Sequence, residues 1–318
     1  MAAPLYNMNL IDFADLTMKY MWSQFLPAFR ARGLPFRYVL DVSDTIATTG
    51  QTAKVTVAQV QSAHTLEDGG VKTLNDTPPL VAEVTFTDTI YNSFGVTDLV
   101  KSILSGQPTI PAVVQGAVFG VLNDIEQQIV TDIINNVPAG NYVGSPGTNL
   151  TQDVADEAQN VLVQNYAPRA DFQCFMAPTN GAWNQLIKIP TVTWAQLRGA
   201  REDSPLIAPG AQYGQQVQYN GGLWSQSQLV SYPNVSGTIQ SQNPMWMREA
   251  LAVAIRVPEL PMAGVGCIAR NFVNQESGIA LQFLWMFNRD TLAEEMVVRS
   301  IIGTAAAQPA WSALIQAA

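Results

Sequence analysis

Charge is what this sequence has least of. Only 13% of its 318 residues are Asp, Glu, Lys or Arg, about half the usual share. So few ionised groups leave much neutral polar and apolar surface on a lone chain, which favours burial against partners. Cations are the scarcer sign: 16 Lys and Arg against 25 Asp and Glu give a formal net charge of −9, and no basic run occurs. A dedicated nucleic-acid binder needs a basic stripe to neutralise phosphates, so that class is disfavoured. Trp183, Trp194, Trp224, Trp246 and Trp285 lack the interleaved basic residues of a single-strand stacking platform.

Histidine occurs once, at His64, in a polar stretch with no oriented carboxylate beside it, which makes triad or general acid–base chemistry there a poor fit. One His and two distant Cys cannot make a Cys/His zinc site. Cys174 and Cys267 sit in the apolar, strand-like contexts DFQCFM and GVGCIA and read as buried free thiols. There is no Walker loop, and Gly116 to Gly120 lies inside a helical pattern, where it is no dinucleotide fingerprint. The neighbours Glu67/Asp68, Glu202/Asp203 and Glu294/Glu295 read as solvated acids. A carboxylate-based hydrolase stays a distant alternative, since a glycosidase pair is defined by geometry. No apolar run approaches the roughly 18 residues of a membrane span. The start MAAPLYNMNLIDF has neither the basic end nor the apolar run of a signal peptide. No catalytic residue, cofactor or metal site and no membrane partner are expected.

What the sequence does have is a long helix. Over Gln107–Val137, residues Val114, Val118, Val121, Leu122, Ile125, Ile129 and Ile133 recur at three- and four-residue intervals, one apolar face of a helix. Gln115, Asp124, Gln127, Thr131 and Asn135 fall mostly elsewhere, Pro111 fits the first turn, and Asn136, Pro138 and Gly140 supply the stop. The rod would be roughly 40 Å long.

Before it, Asp12 to Ala31 forms an amphipathic arm rich in large apolar groups, among them Trp22 and Phe25; such a terminus needs something to lie on. RYVLDV, AKVTVAQV and LVAEVTFTD then alternate with the strand period. The last two are joined by the polar stretch Gln61–Pro79, with Glu67, Asp68 and Lys72 near its tip. A lone two-stranded ribbon is marginal in water, so a protruding one is expected to dock on another subunit. Thr89 to Ser105 reads as a connector with a helical turn or two.

After the long helix, Thr151 caps a second one, with Asp153, Asp156 and Glu157 in its first turns. DFQCFMAP reads as a buried strand, Asn180–Lys188 as a short helix, and QQVQYN and LWSQSQLVS as strands; this alternation marks a mixed domain. Gly199 to Gly214 resembles a long loop. MWMREALAVAIRV reads as a helix running into a strand, GVGCIARNFV and GIALQFLWMFNRD as consecutive strands, and Glu294–Ile302 and Trp311–Ile315 close the chain.

Three stretches, taken in order, resemble a known family. LVAEVTFTDTIYNSFGVTDL leading to PAVVQGAVFGVLNDIEQQIVTDI is similar to the ribbon return and spine helix of tailed-bacteriophage major capsid proteins of the Hong Kong 97 type. NPMWMREALAVAIRVPELP is similar to their aromatic–charged–Ala segment ending in proline. ESGIALQFLWMFNRDTLAEEMVVRSIIGTAAAQPAW resembles the closing strand, turn and strand of the short-tailed phage coat-protein group, with Arg299-Ser300 and Ile302-Gly303 in place of that group's aspartate-and-tyrosine pattern. The resemblance implies an α+β fold: an N-terminal arm (1–36), an extended β-ribbon loop (37–90) and a peripheral domain (91–149) with spine helix 110–136. An axial α/β domain (150–272), peripheral return strands (273–305) and a C-terminal strand rejoining the axial domain (306–318) complete it. It further implies pentamers and hexamers of an icosahedral shell, assembled in a bacterial cytoplasm and enclosing double-stranded DNA without sequence-specific binding. A portal protein and scaffolding or decoration proteins are the implied partners. Contacts between subunits are assigned to Trp22, Phe25, Glu67, Asp68 and Lys72. A cellular nanocompartment shell of the encapsulin kind is the alternative.

Overall fold

The computed structural model describes residues 34–46, 52–57, 65, 72, 79–97, 109–167, 172–176, 182–189, 216–219, 222–230, 234–235, 238–260, 267–273, 279–288 and 293–317. They divide into two compact units. The first comprises the described parts of Met1–Arg37, Thr87–Gln127 and Ile255–Gly303; the second those of Tyr38–Phe86, Gln128–Ala254 and Thr304–Ala318.

In chain order the elements are α1 (Leu34–Arg37), β1 (Leu40–Asp41), α2 (Ser43–Ile46), β2 (Thr52–Val57), β3 (Leu80–Thr85), β4 (Asp88–Thr97), α3 (Thr109–Asn136), β5 (Tyr142–Gly144), α4 (Gln152–Gln164), β6 (Phe172–Met176) and α5 (Ala182–Lys188). There follow β7 (Gln216–Tyr219), β8 (Gly222–Gln226), β9 (Asn234–Val235), β10 (Thr238–Ile239), β11 (Ser241–Trp246), β12 (Leu251–Arg256), β13 (Cys267–Val273), β14 (Ala280–Asn288), β15 (Ala293–Ala306) and β16 (Ser312–Ala317).

The long helix is present, and its face is the expected one. Val118, Val121, Leu122, Ile125, Ile129 and Ile133 are all buried, while Asp124, Gln127, Thr131 and Asn135 are exposed. Pro111 stands in its first turn, where a missing N–H is harmless.

In the first unit β4, β15, β14 and β13 form an antiparallel sheet in that order. The sheet's two faces differ. Asn92 of β4 points at α3: a Cβ on Gly120 would lie 3.0 Å from the Asn92 amide nitrogen, so glycine leaves room there for that side chain. Strand β4 corrects the expected connector. Its Thr, Ile, Tyr, Phe and Val residues suit a strand, and pairing with β15 from Asp88 to Thr97 settles the matter.

The second unit is built on a mixed sheet in the order β5-β16-β11-β6-β8-β7. All five residues of β6 are buried, because both of its faces are covered. Phe172, Cys174 and Met176 join Ala155, Ala158 and Leu162 of α4 and Trp183 and Leu186 of α5. Phe175 instead meets Trp246 edge-on, with ring centroids 4.9 Å apart. Strands buried on both faces read as continuous apolar runs. Cys174 is a buried free thiol as expected, and burial pushes its pKa up. Cys267 is only half-buried, since among the described residues β13 stands at the end of its sheet. Thr151 caps α4, its hydroxyl accepting from the Val154 N–H.

Two further expectations change. The segment from Met245 is no α-helix: β11 ends at Trp246, a 3-10 turn covers Arg248–Ala250, and β12 follows. Leu251 to Ile255 are all buried, and an apolar run of that kind cannot be told from a buried helix by periodicity. RYVLDV shrinks to Leu40–Asp41, which pairs in parallel with Ala252–Val253.

The buried face of α3 sets the first prediction. Ile125 has 0% exposure, so Ile125→Asp should cost several kcal/mol and abolish soluble folded protein. Exposed Gln127→Glu should change stability by less than about 0.5 kcal/mol. Soluble yield and circular dichroism of the two variants check this; equal effects would mean the buried face is misassigned.

Candidate assembly surfaces

The ribbon is a two-stranded antiparallel pair, Thr52 opposite Thr85 through Val57 opposite Leu80. Alternation divides it into two faces. Ala53, Val57, Ala82 and Val84 are buried and pack, with Val55 beside them, on Val42, Ala252, Ala254 and Ala307. The base of the ribbon is therefore held by its own chain. The outer face carries the pairs Thr52/Thr85, with hydroxyls 3.3 Å apart, and Lys54/Glu83, with Nζ 2.8 Å from Oε1. Lys54 is thus paired, though still exposed. Hydrogen bonding by Glu83 first, and its charge second, raise the Lys54 pKa from the ordinary 10.5.

Of the expected contact residues, Lys72 is exposed, while Trp22, Phe25, Glu67 and Asp68 lie outside the described residues. So do His64, Glu202 and Asp203. Among the described residues no three His, Cys, Asp or Glu side chains cluster as metal ligands.

A second surface element is a polar clamp on the C-terminal strand. β16 is flanked by β11, antiparallel, and β5, parallel. Asn141 is buried, and its Nδ2 donates to the Ala310 carbonyl at 3.1 Å and the Ser312 carbonyl at 2.7 Å. Asn165 Nδ2 donates to Asn141 Oδ1 at 3.3 Å and to the Ala310 carbonyl at 3.1 Å, and Trp311 Nε1 donates to the Asn165 carbonyl at 2.9 Å. Tyr166, next to this knot, takes a left-handed φ of 62°, an unusual conformation for an aromatic residue.

The third is a transverse row on the face of the first unit's sheet turned away from α3. Tyr91 pairs with Arg299, Arg299 with Gln282, and Gln282 with Asn271 across four strands. Gln282 is wholly buried. Its Nε2 donates to the Pro258 carbonyl at 2.7 Å and to Asn271 Oδ1 at 2.8 Å. Sequence reasoning missed this row; only the register brings four residues so far apart in the chain into line.

No family model and no curated protein matches the chain. Solved structures do. A structure from Mycobacterium phage Che8 aligns with a TM-score of 0.59 and 13% identity over 87% of this chain and 88% of that one. The capsid of Cyanophage P-SCSP1u aligns at 0.52 and 14% identity, over 87% and 85% of the two chains. An encapsulin complex from Synechococcus elongatus aligns at 0.51 and 14% identity, over 89% and 86%. The fold is α+β and of the Hong Kong 97 capsid type.

Two predictions follow from the clamp and the ribbon. Asn141→Ala removes the side-chain donor from the buried Ser312 carbonyl and leaves the Ala310 carbonyl with Asn165 alone, and should lower stability by about 1–3 kcal/mol. Asn136→Ala removes only an exposed amide bonded to the Asp132 carbonyl in its own helix, and should change stability by less than about 0.5 kcal/mol; thermal unfolding compares the two. The raised Lys54 pKa makes the ribbon pair's contribution complete below 10.5 and lost as pH climbs through the raised value. An NMR titration should show Lys54 ionising above its ordinary value in the wild type and returning to it in Glu83→Gln.

Proposed function

We propose that the chain is the major shell protein of a tailed double-stranded DNA bacteriophage, assembling into pentamers and hexamers of an icosahedral capsid. The observation that carries this reading is the near full-length correspondence with the capsid of Cyanophage P-SCSP1u and the mature capsid of bacteriophage PhiM1. The low charge content supports it, because subunit contacts cover neutral surface that a lone chain would expose. The net charge of −9 supports it too: a coat that clung to phosphate would obstruct packaging and ejection. The role is mechanical rather than catalytic, the site of action is the virion capsid, and assembly takes place in the bacterial host cytoplasm. A portal protein and scaffolding or decoration proteins are the further partners.

A nanocompartment shell holding protein cargo is the second reading, favoured by the encapsulin among the structural neighbours. The contents of purified particles separate the two: DNA supports the phage capsid, packaged protein the nanocompartment.

Trp22, Phe25, Glu67, Asp68 and Lys72 are proposed as contacts between subunits, the last three in the ribbon tip. Weak contacts repeated at every subunit sum by multivalency. Replacing Thr65–Thr77 by a short Gly-Ser turn should leave a folded subunit that forms no stable shells. Circular dichroism and sedimentation velocity decide it. Lost secondary structure, or particles sedimenting as the wild type does, would show that the tip does not act between subunits.

A further inference from the structure

The first unit carries a cation to which its own described residues bring no counter-ion. Arg299 on β15 is half-buried. Its Nε and Nη2 donate to Gln282 Oε1 at 2.8 and 2.6 Å. That acceptor is a neutral amide. Its other end is already committed to Pro258 and Asn271, so it orients the guanidinium without neutralising it. Among the described residues no carboxylate lies within ion-pair distance of Arg299. Three of its five N–H groups remain, in a planar fork suited to a carboxylate.

The surroundings are those of a contact surface. Tyr91 stands directly opposite Arg299 on β4 and is 65% exposed. It lies on the face away from α3, since its neighbour Asn92 is the residue that meets Gly120. Leu260, in the loop that Gln282 anchors through Pro258, is 57% exposed, as is Val273 at the end of β13. Among the described residues β4 pairs only with β15. Its ten residues contain no Lys, Arg or Pro, the residues that commonly guard an open strand edge.

We propose that this outer face, centred on Arg299 and Tyr91, is a contact surface between copies of this chain, on which a carboxylate of a second copy pairs with Arg299. Charge selects the occupant. A second copy offers 25 carboxylates against 16 cations, and a guanidinium already held in place loses little further freedom on pairing. Arg and Tyr are also the residue types that most often dominate interface energies. The inference rests on the shell-subunit reading and adds to it a particular face and a particular charge.

Two variants and one cross-link test it in the full chain. Arg299→Gln removes the charge but keeps an amide donor beside Gln282. Tyr91→Glu alters an exposed side chain and places a negative charge where the incoming carboxylate would lie. Each variant should keep wild-type circular dichroism and raise the concentration needed for assembly at least about tenfold. Added salt should weaken wild-type assembly more than that of Arg299→Gln. A photo-cross-linking residue at position 91 should capture an Asp- or Glu-containing peptide of a second copy. If Arg299→Gln does not fold, Tyr91→Glu and the cross-link still decide. Wild-type assembly with both variants assembling equally well, or capture of a different protein only, overturns this face and leaves the shell reading intact. A wild-type chain that never assembles overturns the shell reading and this inference with it.

Discussion

Double-sided pairing of one strand is the constraint on which the first unit depends. Ala293–Arg299 of β15 is bonded to β14 while Ala293–Ile302 is bonded to β4. Its side chains alternate between two environments. Met296, Val298, Ser300 and Ile302 are buried, and Val297, Arg299 and Ile301 are half-buried on the other face. A slip of one residue would exchange the two sets. Two polar contacts oppose the slip: Ser300 Oγ donates to the Ala280 carbonyl at 2.8 Å, and Arg299 reaches Gln282. The strand runs on into the second unit, where Thr304 Oγ1 donates to Asp132 Oδ2 at 2.5 Å and Ala305 packs in the cluster beneath the ribbon.

Much of this was legible where the signal is local. The buried stripe of α3 could be read because a helix repeats its face every few residues, and the Thr151 cap because capping needs only a neighbour three positions on. The β13–β14 pair could be read from two strand-like runs joined by a short turn. What failed was central pairing. Leu251 to Ile255 are buried on both faces, so they lack the alternation that marks a strand. β4 looked like a connector because its partner, β15, lies some two hundred positions later.

The candidate surfaces divide in the same way. Polar residues near the ribbon tip are visible in composition, but Lys54 opposite Glu83 follows only from the register of β2 and β3. The buried seat of the ribbon was invisible for a similar reason: Ala252, Ala254 and Ala307 are small residues far downstream, with nothing in their spacing to point back at Ala53 or Val84. Arg299 stood out in the sequence only as a departure from a family pattern. Its meaning as an oriented cation depends on Gln282, Asn271 and Pro258 being brought beside it.

The proposed shell-subunit reading draws on the low charge content and on a half-buried Arg299 with no carboxylate partner among the described residues. Mass photometry of the purified chain over a concentration series tests that most directly. The account predicts the 34.5 kDa subunit giving way to species of five and six subunits and to one heavy particle of fixed mass. A single 34.5 kDa species at every concentration, with scaffold supplied or not, would contradict it.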